Sequence, residues 1–324
     1  MSKIKKYDIS IYYEASYLCS GSFYDSFEYF YLFSQKGYDT CFIIMSPVLS
    51  DIVYSAISDR YNIDIESLKK DIYIYDKNEY MRYSKIIKII SNIIFAPSMS
   101  SIAQMYYYEY LIPKRKVITI WELPPTHKFI STFKKKRENI LMLYDPRVFK
   151  IYRDYPHEKY RRTLYFDIMK PLDKTKAIKN SCLLNMVTDH KTYPVDELKI
   201  IMDEYNFDNY IIATKEKLYD KYKTLENDKV KVLKTPITDY MYQFDSLLYL
   251  PSLRGTFADF GDKNMDPSPR LLPECKWFNK KVIFHRFGKL KDGGYWRWID
   301  CMEDFDSLIM TLDDPIFDII EDFR

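Results

Sequence analysis

Residues 247–285 include Leu247-Leu-Tyr-Leu250, Asp266-Pro-Ser-Pro-Arg270-Leu-Leu-Pro-Glu274 and Lys281-Val-Ile-Phe-His285. The first and last pieces are apolar runs of strand length, and the middle piece is a helix start with a carboxylate in its first turns. A strand, a loop, a helix and a second strand in this order form one unit of an α/β fold. Because α/β proteins bind ligands in the loops after their strands, this stretch predicts both the fold class and a ligand-binding loop.

Short apolar runs alternate with segments of helical spacing over most of the 324-residue chain, a length typical of about two domains. Strands are predicted at Ile9–Tyr13, Cys41–Met45, Ile72–Tyr75, Ile93–Ala96, Val117–Trp121, Ile140–Tyr144, Leu183–Thr188, Tyr210–Ala213, Val230–Leu233, Ser246–Leu250 and Val282–His285. This alternation predicts parallel sheets with crossover helices in two successive α/β domains.

A basic and aromatic passage, Phe149–Asn180, interrupts this alternation and is interpreted as the connection between the domains. A boundary near residue 175 gives an amino-terminal domain of residues 1–175 and a carboxy-terminal domain of residues 176–324. The last segment, Met302–Arg324, is acidic and amphipathic, and it is a candidate to pack back on the first domain. We expect it to be helical as far as Pro315, where the ring would end the helix.

Helix signals mark the crossovers. One helix is predicted between Ser22 and Gly37, where glycine acts as a stop. A second begins near Pro194, and a charged third ends near Leu225. The first helix has an apolar face made of phenylalanines at helical spacing, namely Phe23, Phe27, Phe30 and Phe33.

The composition excludes several classes of binding protein. The net charge is +3, too small a surplus to indicate a nucleic-acid-binding protein by bulk charge. None of the 7 glycines lies in a G-x-G-x-x-G or G-x-x-x-x-G-K-[ST] pattern, which excludes a dinucleotide site and a Walker loop. The 5 cysteines contain no C-x-x-C pair and the 4 histidines no H-E-x-x-H motif, so neither a metal site nor a disulfide framework is predicted.

The sequence predicts neither a signal peptide nor a membrane span. The apolar run Ile9–Tyr13 is only about a strand long and lacks a small-residue cleavage site. The most apolar stretch, Ile86–Ala96, is shorter than the ~18–20 residues of a membrane span. We therefore expect a soluble protein in a reducing cytoplasm.

The loop and helix start at 266–274 contain the residue types that bind a nucleotide diphosphate. Ser268 lies in the expected ligand loop, the helix start offers backbone N–H groups, and Arg270 adds a charge-assisted contact to phosphate. Glu274, one turn later, is suited to accept hydrogen bonds from ribose hydroxyls. The alternative interpretation is an ordinary helix start, with Arg270 in solvent and Glu274 near the positive end of the helix dipole.

This order of pieces resembles the donor-binding region of GT-B glycosyltransferases. The resemblance lies in strand-Pro-Ser, a loop with Phe260-Gly261, and Pro269-Arg-Leu-x-Pro-Glu-Cys275 before the strand near Lys281. It is also similar to the Asp-x-Ser-Pro-Arg-Leu-x-x-Glu pattern of glycosyltransferase-like phage and bacterial proteins. The resemblance implies two Rossmann-like domains that face each other across a cleft. The carboxy-terminal domain would bind a nucleotide-diphospho-sugar, best matched by a UDP-sugar, as a substrate, with no permanently bound cofactor.

The resemblance also assigns residues to the donor. Glu274 matches the glutamate that holds the donor ribose. Lys191, which follows the first strand of the carboxy-terminal domain, matches a cation that contacts the diphosphate, and Arg254 and Lys215 are further candidates for the same contact. Many retaining members carry a second glutamate where this chain has Asp266, so the sugar-contacting acid stays unassigned.

The amino-terminal domain is expected to supply the acceptor side. Gly21 lies where GT-B proteins keep a small-residue loop that lines the cleft, although a simple turn before a helix is the alternative. Asp25, Glu122 and Asp145 are candidates for the general base that an inverting transferase needs, and Asp25 is alternatively a capping residue. A retaining enzyme relies more on the donor phosphate, and the sequence leaves both outcomes open.

Basic and aromatic residues interleave between Tyr144 and Tyr165, as in proteins that follow a phosphate backbone and stack on an extruded base. They are Arg147, Phe149, Lys150, Tyr152, Arg153, Tyr155, Lys159, Tyr160, Arg161 and Arg162. With a composition typical of an A/T-rich source, this favours a phage-type enzyme acting on hydroxymethylated pyrimidines of double-stranded DNA in the host cytoplasm. The alternatives are an enzyme of polysaccharide or glycoconjugate synthesis, and a catalytically degenerate GT-B-like binding module.

Overall fold

The structure is a computed structural model. It describes residues 3–14, 21–45, 50–75, 87–97, 116–121, 140–144, 157–160, 163–173, 178–187, 192–234, 243–250, 270–285 and 309–324. The chain divides into two compact units, one formed by Met1–Met169 together with Asp306–Arg324 and the other by Lys170–Phe305. In the described residues, no helix is both long enough and apolar enough to cross a membrane.

The first unit is built on a parallel sheet. Its strands are β1 Lys3–Glu14, β2 Thr40–Met45, β3 Ile72–Tyr75, β4 Ile87–Ala96, β5 Lys116–Trp121, β6 Ile140–Tyr144 and β7 His157–Lys159. They lie in the order β3-β2-β1-β4-β5-β6-β7, and each neighbouring pair is parallel. The order runs in one direction from β1 to β3 and in the other from β4 onward, as in Rossmann-like folds.

Helices lie in the first two connections of the first unit. They are α1 Gly21–Gln35, α2 Ser50–Arg60, α3 Ile65–Leu68 and a short 3₁₀ turn at Lys69–Asp71. The phenylalanine face of α1 is confirmed, because its four members are at most 1% exposed. The helix ends where the sequence predicts, since Gly37 adopts φ 97°, a backbone conformation that favours glycine.

The second unit repeats the pattern on a smaller scale. Its strands are β8 Ser181–Met186, β9 Asn209–Thr214, β10 Val230–Lys234, β11 Ser246–Tyr249 and β12 Lys281–Phe284. Its helices are α4 Val195–Tyr205, α5 Glu216–Lys223 and α6 Leu271–Trp277. The parallel strands lie in the order β10-β9-β8-β11-β12, with apolar clusters on both faces of the sheet. The predicted class, α/β with two Rossmann-like sheets, is confirmed.

Each predicted strand is present, most of them with shifted ends, and the structure adds β7 inside the passage that was interpreted as a connection. β1 and β4 begin earlier than expected, at Lys3 and Ile87, because they pair with each other from their first residues. Lysines at the start of β1 hide the apolar pattern on which the prediction depends.

The prediction for Pro315 was wrong, because the last helix, α7 Ile316–Phe323, begins after this proline instead of ending at it. A proline at a helix start removes an N–H group that has no partner within the helix. The Asp314 carboxylate caps the helix by accepting a hydrogen bond from the Ile316 N–H at 2.9 Å. This last segment belongs to the first unit, where Met310, Ile316 and Ile320 are fully buried.

A buried polar network links α1 to this last segment. The Tyr160 hydroxyl lies 3.2 Å from that of Tyr29 and donates to Asp314 Oδ1 at 3.1 Å. Asp314 Oδ2 accepts from the Thr163 hydroxyl at 2.8 Å. Burial raises the pKa of the Asp314 carboxyl, which these hydrogen bonds partly counteract. Because Tyr160 is only 3% exposed, the expectation that it stacks on an extruded base is corrected.

Candidate functional site

The carboxyl edge of the second sheet is the place where the fold positions a ligand. Met186, Thr214 and Lys234, the last residues of β8, β9 and β10, lie side by side in register. The chain moves from β8 towards β10 on one side, and β11 lies on the other side of β8. The point where strand order reverses therefore falls between β8 and β11, and ligands of open α/β sheets bind at the carboxyl ends of such strands.

Helix α6 returns the chain from β11 to the beginning of β12 and carries two of the predicted donor residues. Arg270 is the residue before the helix, and Glu274 lies in its first turn. Pro273 does not interrupt the hydrogen-bond ladder, because the first ladder bond runs from the Glu274 N–H to the Arg270 carbonyl at 3.2 Å. Leu271, Leu272 and Cys275 are buried in the apolar cluster on one face of the sheet and fix the orientation of the helix.

Arg270 and Glu274 form a buried ion pair. Arg270 Nε lies 2.5 Å from Glu274 Oε1, and the two side chains are 5% and 3% exposed. A spacing of four residues places both on the same side of the helix. Burial is the main cause that raises the pKa of the neighbouring Cys275 thiol, and the negative charge on Glu274 raises it further. The structure thus gives Arg270 a protein partner, whereas the sequence suggested either phosphate or solvent.

In the first unit, Gly21 is the first residue of α1 and follows β1, the strand at which that sheet reverses its order. Asp25 lies one turn later in the helix and is 2% exposed, so it is not the residue that caps α1. The other predicted site residues lie outside the described residues. They are Asp145 and Glu122 among the catalytic candidates and Lys191, Ser268 and Arg254 among the donor contacts.

The structure also shows buried polar groups that the sequence analysis missed. Glu28, fully buried on α1, accepts hydrogen bonds from the Tyr61 hydroxyl at 2.7 Å and from the Tyr165 N–H at 3.1 Å. The strong phenylalanine pattern of α1 indicates only one buried face, so nothing in the sequence marked Glu28 as internal. Thr214 was likewise missed, because the predicted strand ended one residue earlier, at Ala213.

The Thr214 hydroxyl provides a test of the packing at the carboxyl edge. Its Oγ1 is buried and has no hydrogen-bond partner within the described part of the chain. A buried hydroxyl without a partner is unfavourable by roughly 1–3 kcal/mol. We therefore expect Thr214→Val to raise the free energy of unfolding by about 1 kcal/mol, as measured by urea denaturation.

The matched control is Thr119→Val in β5. The Thr119 hydroxyl is equally buried but donates to the Ala96 carbonyl at 3.0 Å. Removal of a satisfied hydroxyl should lower the free energy of unfolding by about 1 kcal/mol. An equal decrease in the free energy of unfolding in the two variants would contradict the assignment of the Thr214 hydroxyl as unpartnered.

No protein-family model and no curated protein matches this chain. Among solved structures, it is similar to a glycosyltransferase from Rickettsia africae at 14% identity and a TM-score of 0.49, with 94% of this chain and 91% of that one covered. It is also similar to MurG of Acinetobacter baumannii at 9% identity and a TM-score of 0.43, with coverage of 98% and 91%.

A third similar structure is an alpha-glucosyltransferase in complex with UDP and a 13-mer DNA containing a HMU base. The identity is 12%, the TM-score is 0.45, and 76% of this chain and 73% of that chain are covered. Two of these three structures are named as glycosyltransferases.

Proposed function

We propose that this chain is a glycosyltransferase that moves a sugar from a nucleotide-diphospho-sugar to an acceptor hydroxyl. The donor is a UDP-sugar bound by the second unit, and the acceptor is a hydroxymethylated pyrimidine in double-stranded DNA. The cysteines within the described residues, Cys41, Cys182 and Cys275, are buried and free, which fits a reducing cytoplasm as its location.

The observation that supports this proposal best is the buried Arg270–Glu274 pair. A buried ion pair is a weak source of stability, because desolvation of the two charges offsets most of their attraction. The pair lies at the start of the helix that follows β11, beside the reversal of strand order, where open α/β sheets bind their ligands. A carboxylate that is held in place by an arginine is a suitable acceptor for the two vicinal hydroxyls of a ribose.

In the proposed mechanism the protein binds both the ribose and the diphosphate of the donor. Glu274 accepts hydrogen bonds from the ribose, and Lys191, Arg254 and Ser268 contact the diphosphate. Cations at the diphosphate stabilise the negative charge that develops as the bond from the sugar to the phosphate breaks, and this is the dominant catalytic effect. Gly21 allows close approach of substrate to the backbone of the first unit.

The acceptor hydroxyl must lose a proton as it attacks the anomeric carbon. In an inverting reaction a carboxylate takes that proton, and Asp145, Glu122 and Asp25 are the proposed candidates. Of these, only Asp25 lies in the described residues, where it is 2% exposed. In a retaining reaction the departing diphosphate accepts the proton instead, and no protein base is required.

The basic and aromatic residues between Tyr144 and Tyr165 favour DNA as the acceptor. Tyr160 does not belong to the proposed DNA contacts, because it is internal. A saccharide or lipid-linked acceptor is the second enzymatic candidate, and a binding module without activity is the third.

The experiment is a donor screen. The purified chain is incubated with UDP-sugars and with duplexes that contain either hydroxymethylated or plain pyrimidines, and the nucleosides are then analysed by mass spectrometry. The proposal predicts a hexose or pentose mass added only to the hydroxymethylated nucleoside. Transfer to saccharide acceptors alone would refute the DNA acceptor but not the transferase, and nucleotide binding without transfer to any acceptor would leave a binding module.

A further inference from the structure

Arg270 has a geometry that differs from that of a residue that binds phosphate. The guanidinium is 5% exposed, and its Nε donates to a carboxylate of the same helix. An arginine that binds phosphate typically presents its donor fork to the ligand. Here the edge of the fork that carries Nε is used by Glu274.

We infer that Arg270 is a positioning residue, which acts on the donor through Glu274 and not by contact with the diphosphate. This inference rests on the proposed function. The planar guanidinium holds the Glu274 carboxylate in one orientation, in which it accepts hydrogen bonds from the vicinal ribose hydroxyls. Arg270 also compensates the negative charge of Glu274 in an environment with little water.

The two roles of Arg270 predict different dependences on the phosphates of the ligand. A positioning residue affects the binding of the ribose, which all three ligands share. Arg270→Met should therefore lower the affinity for uridine, UMP and UDP by the same factor, about 10- to 100-fold. If Arg270 contacted the phosphates, Arg270→Met would instead weaken the binding of UMP and UDP and leave the binding of uridine unchanged. Dissociation constants from calorimetry on the intact chain separate these outcomes.

The double variant Arg270→Met/Glu274→Gln, compared with Glu274→Gln alone, tests the inference without the Arg270→Met variant. If Arg270 acts through Glu274, the double variant and Glu274→Gln alone should bind all three ligands with equal affinity. Additional loss of UDP affinity in the double variant would overturn the inference. This comparison remains valid even if Arg270→Met fails to fold, because the double variant removes both buried charges.

Two further variants complete the design. Arg270→Lys keeps the charge but not the planar fork, so it should recover part of the affinity that Arg270→Met loses, equally for all three ligands. Arg324→Met, which removes an exposed partner of Asp8, is the control for loss of an arginine and should bind like the unmodified chain.

Failure of this inference is distinguishable from failure of the proposed function. If the unmodified chain binds UDP and the loss in Arg270→Met depends on phosphate, only the positioning role is refuted. If the unmodified chain binds neither uridine nor UDP, the proposed donor site is refuted and the role of Arg270 with it.

Discussion

A Glu274→Gln variant is expected to bind UDP roughly 10- to 100-fold more weakly than the unmodified chain, because hydrogen bonds to a charged group contribute about 1.5–3 kcal/mol. Glutamine keeps the size of the side chain but offers one neutral carbonyl in place of two charged oxygens. Its amide also leaves the buried Arg270 without a full counter-charge, so a drop in the free energy of unfolding should accompany the loss of affinity.

The control for this variant is Glu66→Gln in the first unit. Glu66 also lies 2.5 Å from a cation, Lys69, but both partners are exposed, at 71% and 38%. Exposed ion pairs contribute at most about 1 kcal/mol, so this variant should match the unmodified chain in UDP affinity. If Glu274→Gln retained UDP affinity within about twofold of this control, Glu274 would not be a ribose ligand.

Removal of residues 309–324 is expected to unfold the first unit, although these residues are the last in the chain. The segment buries Met310, Ile316, Phe317 and Ile320 within that unit. Full burial of such side chains contributes about 1.5–3 kcal/mol each, and the total is comparable with the 5–15 kcal/mol stability of a whole domain. Loss of the Asp314 network would also leave Tyr160 and Thr163 with fewer buried partners.

Thermal unfolding followed by circular dichroism would test this expectation. The shortened chain should lose a cooperative transition that the full chain shows. Leu312→Ala is the control, because Leu312 lies in the same segment but is 43% exposed, and it should shift the transition little. A shortened chain with an unchanged transition would show that the segment does not stabilise the first unit.

The sequence predicts most of this fold because all the strands except β7 carry their own apolar signal. Ile72–Tyr75 and Ile140–Tyr144 are found with the predicted bounds. His157–Lys159 could not be found in this way, since its three polar residues have no strand pattern and join the sheet by pairing with β6. Pro315 was misjudged because a proline signals a helix start and a helix end equally well unless the capping residue is known.

The candidate site shows a different limit of sequence reasoning. The spacing of Arg270 and Glu274 already indicates a pair on one face of a helix. Their burial cannot be inferred from spacing, because charged residues are almost always exposed, whereas these two side chains are 5% and 3% exposed. The network of Tyr29, Tyr160 and Asp314 joins residues far apart in the chain, so only the fold brings them together.

The proposed function requires that the second unit bind a sugar nucleotide at the helix that contains Arg270 and Glu274. Titration calorimetry of the intact, folded chain with UDP measures this binding. The proposed site predicts saturable heat with one nucleotide per chain, and competition by UDP-glucose for the same site. Absence of heat at millimolar UDP and millimolar UDP-glucose, from a chain that is folded by circular dichroism, would contradict it.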